Sequence, residues 1–189
     1  MDPILYVAIG IALVVVIVIF TYNRLVGLRQ AWKRAFSDID VQLKQRHDLI
    51  PNLVETVKGY AAHESGVFTK VTEARASAMQ ASNPAQKAAA EGALSGALTS
   101  LLAVAENYPQ LKANENFRQL QSELSDIENK IAAARRFLNN AVAEYNTGIG
   151  QFPAALFAGM FGFAPAQMWE LDEADKAAVK EAPKVSFSA

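Results

Sequence analysis

Every position from Ile4 to Phe20 is apolar (ILYVAIGIALVVVIVIF), and no charged residue stands between Asp2 and Arg24. At about 1.5 Å of rise per helical residue the run covers roughly 26 Å, and Thr21, Tyr22 and Asn23 extend it to roughly the 30 Å of bilayer hydrocarbon. The pattern predicts a transmembrane anchor over residues 1–23. A cleaved secretory signal would need basic residues ahead of a shorter apolar stretch and small residues after it. Here only Asp2 and the amine precede the run, and Thr21-Tyr22-Asn23-Arg24 follows it.

Beyond the anchor the apolar positions change to a helical period. Leu25, Leu28, Trp32, Ala35, Ile39 and Leu43 recur at steps of three or four, the stripe of an amphipathic helix. Pro51 lacks an N–H and disfavours helical geometry at Ile50, so this helix is expected to end or kink there, with Asp48 capping the next. A second stripe runs from Ile50 through Leu53, Val57, Phe68 and Val71 to a stop at Ser82-Asn83-Pro84. An alanine-rich third helix over 85–106 carries Leu94, Leu98, Leu101 and Leu102 and ends at Tyr108-Pro109. The fourth has the strongest period, from Phe117 through Leu124, Ile131 and Leu138 to Ile149, and Gly148, Gly150 and Pro153 stop it.

The spacing predicts an all-α fold: one N-terminal transmembrane helix, then an antiparallel bundle of four helices over 24–150 whose last helix is long and coiled-coil-like. An apolar, Phe-rich segment over 151–170 and a polar tail over 171–189 follow. In this topology the fourth helix returns to the membrane and leaves the Phe-rich segment near the bilayer surface. With Pro51 as a mere kink the bundle would have three helices, and their lengths would match less well.

Composition narrows the chemistry. The chain has no cysteine, which removes disulfides, thiolate metal sites and a Cys nucleophile. A net charge of −1 argues against a nucleic-acid footprint. Arg24, Arg29, Lys33 and Arg34 follow the anchor and no Lys or Arg precedes it, so the expected orientation is N-terminus outside and bundle in the cytoplasm. His63-Glu64 lacks the second histidine of a zinc helix because Val67 occupies its place. His47, Asp48, Glu55, His63 and Glu64 could build a metal site only by converging across facing helices. No GxSxG elbow and no P-loop occur. Surfaces are then the candidates for function. Phe152, Phe157, Phe161, Phe163 and Trp169 could meet lipid or another subunit. The polar set Asp40, Gln42, Arg46, Asp48, Asn52 and Glu55 could dock a partner or be a solvated helix face.

Three stretches resemble the LemA family of bacterial membrane proteins: IDVQLKQRHDLIPNLVETVKGYAAHE from Ile39, ENYPQLKANENFRQLQSELSDIENKIAAARRFLNNAVAEYNT from Glu106, and FPAALFAGMFGF from Phe152. One departure is Leu138, where the family pattern usually has Tyr. The resemblance implies a single N-terminal span, a helical bundle and the bacterial cytoplasmic membrane. It implies no catalytic activity and no cofactor, and it hints at membrane proteases of the HtpX type as partners. The expected function is a non-enzymatic, homo-oligomeric scaffold that organises membrane lipid or a membrane protein. The alternatives are a protease adaptor and, third, a metal-dependent hydrolase.

Overall fold

The computed structural model describes residues 3–169, and the polar tail lies outside them. Among the described residues there is no strand; the chain folds as α1 (Pro3–Lys58), α2 (Ser65–Gln80), α3 (Pro84–Glu106), a short α4 (Pro109–Ala113) and α5 (Glu115–Gly150), with a turn of 3-10 helix at Ala154–Leu156. Contacts divide it into two compact units, one joining the chain up to Gln42 with Lys130–Met168, the other holding Leu43–Asn129 and Trp169.

In the first unit the opening of α1 presents its apolar side chains outward from Ile4 to Phe20, as lipid-facing residues must. Thr21 fits this surface because its hydroxyl donates to the Ile17 carbonyl, 2.8 Å away within the same helix. Below it α1 and the end of α5 run antiparallel around Leu25, Tyr145, Ala154, Ala158 and Phe163, with Leu28, Trp32 and Ile149 against them. The two helices meet at Gly148, where an added Cβ would lie 2.7 Å from Leu28 Cδ1 and that side chain would have to shift.

In the second unit α2, α3, α4 and the first half of α5 pack with the end of α1 around Leu53, Val57, Val71, Leu94, Leu101 and Leu111. Asn83 caps α3, its side chain accepting from the Gln86 N–H at 2.8 Å, and Pro84 opens the helix where no N–H is needed. Asn114 starts α5 in the same way, accepting from Phe117 N at 3.0 Å while its amide donates to Tyr60 Oη at 2.9 Å. α3 is also long and apolar enough to cross a bilayer, although part of it is buried in the protein.

One boundary differs from the sequence expectation. α1 does not end at Asp48–Pro51; it runs through Pro51 to Lys58, and the turn falls at residues 59–64. A proline inside a helix orphans the carbonyl four residues back, here that of His47. Arg75 of α2 supplies the missing donor, its Nε lying 2.7 Å from the His47 oxygen. The polar deficit that should have ended the helix is met from a neighbouring helix, so α1 continues. The bundle still has four long helices, because the break moves to Gly59.

Candidate functional site: a buried ion network and an apolar turn

Arg46 begins on a helix whose surrounding residues are charged, yet its side chain is fully buried. Its Nη1 donates to Glu128 Oε1 at 2.7 Å and to Ser95 Oγ at 3.0 Å, and its Nη2 donates to the Glu91 carboxylate. The second Glu91 oxygen meets His47 Nε2 at 2.8 Å. Three helices of the second unit thus place two positive-capable and two acidic side chains around one point. Burial pushes the Glu91 carboxyl upward, but the hydrogen bond from His47 and the charge of Arg46 outweigh it and hold the group below its ordinary value. A carboxylate only accepts, so the proton between Glu91 and His47 belongs to Nε2.

This fixes a pH dependence. The unfolded Glu91 takes a proton near its ordinary 4.5, before the folded one does, so the stabilisation is complete above that pH and is lost as pH falls through the lower folded value. The difference in melting temperature between wild type and Glu91→Gln is expected to be constant at neutral pH and to narrow below about pH 4.5, measured by thermal unfolding of the full chain in mild detergent. A difference that stays unchanged down to strong acid would contradict the network.

In the first unit a second arrangement occupies the end of α5. Tyr145 donates from its hydroxyl to Ala164 O at 2.9 Å. The Asn146 side-chain amide pairs twice with Ala166, donating to its carbonyl at 2.9 Å and accepting from its N–H at 2.8 Å. Phe163 lies 4.7 Å beneath the Arg29 guanidinium and edge-on to Tyr22. Phe157 stacks edge-on to Phe161, which also meets Tyr22 at 5.3 Å.

These placements separate the sequence candidates. Phe152 and Phe161 are exposed and Phe157 is half-buried, but Phe163 and Trp169 are buried within the chain, where they serve the interior and present no contact surface. Arg46 is likewise corrected: its guanidinium is enclosed by Glu91, Glu128 and Ser95 and offers nothing to a docking partner. Asp40 and Gln42 are half-buried. Asp48, Asn52 and Glu55 are exposed; Asp48 pairs with Lys44 and Glu55 with Lys58 along the same helix, contacts of small energetic weight. His63 is exposed in the 59–64 turn, and among the described residues no group of three or more His, Asp or Glu is arranged to hold a metal ion. Sequence reasoning missed Glu91. The signal was there: it is the one acidic residue between Pro84 and Ala105, in a helix of alanine, glycine and leucine, and a charge so placed needs a partner.

Among curated proteins the chain is similar to the magnetosome protein MamQ of Magnetospirillum gryphiswaldense, 26% identical over 168 residues that cover 75% of this chain and 62% of the relative. Two further relatives, magnetosome proteins MamQ 1 and MamQ 2 of Paramagnetospirillum magneticum, are 25% identical over 175 residues, covering 79% of this chain and 64% of each relative. The match therefore spans a little under two thirds of the length of these relatives. The LemA family profile takes in residues 35–187, which include the end of α1, all of α2 to α5 and the buried network built on Arg46. The chain is a membrane-associated helical protein and belongs to the LemA family.

Proposed function

We propose that this chain is a non-enzymatic scaffold, anchored in a bacterial cytoplasmic membrane by the start of α1, which self-associates and organises the membrane or a membrane-protein partner. One observation carries the reading. The groups best suited to acid–base chemistry, His47 and Glu91, are spent with Arg46 in a buried network, whereas large apolar side chains such as Phe137 and Phe152 are left outside. Buried charges paired with one another are closed to a substrate; exposed apolar surface is what proteins use to associate. An anchor confines protomers to a plane and raises their effective concentration, so weak lateral contacts suffice. Arg24, Arg29, Lys33 and Arg34 beside the anchor support a cytoplasmic bundle.

The full chain extracted in mild detergent is expected to give a particle whose protein mass is at least twice 20.5 kDa. Phe137→Asp, which puts a charge on the exposed face of α5, is expected to shift it toward one copy. A photocrosslinker at Asn52 should trap a second copy of the chain. A strictly monomeric particle would overturn self-association, and crosslinks to a membrane metalloprotease with no self-crosslink would replace the scaffold by the adaptor.

A further inference from the structure

The turn after α5 lies at the level where α1 leaves the bilayer. α1 and α5 run antiparallel, with Trp32 beside Tyr145 at 6.3 Å and Gly148 against Leu28 and Leu25. α5 ends at Gly150, two residues beyond that contact, and the chain turns there beside the part of α1 that holds Tyr22, two residues past the last apolar residue of the span. The contacts agree. Phe161 touches Tyr22, Phe163 lies between Tyr22 and Arg29, and the chain then climbs back, Ala164 to Tyr145 and Ala166 to Asn146. Residues 152–161 are thus the lowest point of a loop that descends along α5 and returns beside it.

The side chains of this low point divide by face. Ala154 and Ala158 turn inward to pack with Leu25 and Tyr145. At the alternate spacing Phe152, Leu156 and Met160 are 82%, 70% and 85% exposed, and Phe161 is 46% exposed. No charged residue occurs between Glu144 and Glu170, so no side-chain charge in the segment opposes entry into the headgroup–acyl boundary. The outward face continues the apolar surface that begins with the span, and the stretch is too short to cross.

We propose that residues 152–161 form a foot embedded in the headgroup–acyl boundary of the same bilayer that holds α1, with Phe152, Leu156 and Met160 as its lipid contacts. The protein would then grip one leaflet at two points: the span and the foot. This inference rests on the membrane anchor and not on self-association.

The chain's lack of cysteine makes the test direct. Single-cysteine variants Met160→Cys and Leu156→Cys of the full chain, labelled with bimane, are reconstituted into phosphatidylcholine–phosphatidylglycerol vesicles carrying lipid spin-labelled near the headgroup. Ile17→Cys in the span and Arg136→Cys on the exposed part of α5 are the references. Both foot labels are expected to lose about half their emission or more, as Ile17→Cys does, while Arg136→Cys keeps its own. Foot labels that behave like Arg136→Cys would overturn the proposal. So would labels shielded from water yet unquenched, and released when the protein is diluted into excess lipid, since a second copy would then be the cover. An unquenched Ile17→Cys would remove the anchor itself, and the foot with it.

Discussion

Replacing Arg46 by methionine is expected to destabilise the chain by about 3–5 kcal/mol, the usual cost of removing one partner from a buried ion pair. Methionine fills much of the same volume, so little of the loss would come from a cavity. The loss comes from Glu91, which keeps its charge and its burial but retains only His47 as a partner. Glu128 suffers less, because its carboxylate is partly open to solvent. Removing both charges in Arg46→Met/Glu91→Leu should recover much of the stability, since apolar replacement of an entire buried pair is often neutral. Denaturant unfolding of the full chain in detergent measures both. A double variant as unstable as the single one would mean that the lost stability came from packing around Arg46 and not from the stranded Glu91.

The second large effect lies at Pro51. Arg75→Met, which keeps most of the apolar stem, is expected to cost about 1–3 kcal/mol by leaving the buried-side carbonyl of His47 without a donor. In a Pro51→Ala background residue 51 regains an N–H that can close the helical bond to that carbonyl, and the same Arg75→Met change should cost markedly less. Pro51→Ala alone is expected to stabilise. Equal costs of Arg75→Met in both backgrounds would show that Arg75 acts through some other contact.

The two sites explain what the sequence made legible. Period and breakers placed the apolar opening of α1 as a helix, the α2–α3 turn at Ser82-Asn83-Pro84 and the long α5, because each depends on local pattern and on side chains acting within a few residues. The start of α5 at Asn114 belongs to the same kind of information. The favoured break at Pro51 fails for the opposite reason: the proline's tolerance is supplied by Arg75, remote in sequence, and no local rule contains that donor. Arg46 looked like one more charge on a polar face, since the residues that enclose it come from α3 and α5. Phe163 and Trp169 could not be separated from Phe152 by composition. In the Phe-rich segment only the folded return of the chain toward Tyr145 and Asn146 decides which ring of Phe152 and Phe163 turns inward.

The apolarity of α3 gives Glu91 a second consequence, earlier in the life of the molecule. A ribosome feeding this chain into the membrane delivers two greasy segments to the insertion machinery, the start of α1 and α3. Only the second contains a carboxylate, and a charge within a segment counts against its release into lipid. The residue that later pairs with Arg46 thus also makes entry of α3 into lipid costlier than entry of the start of α1.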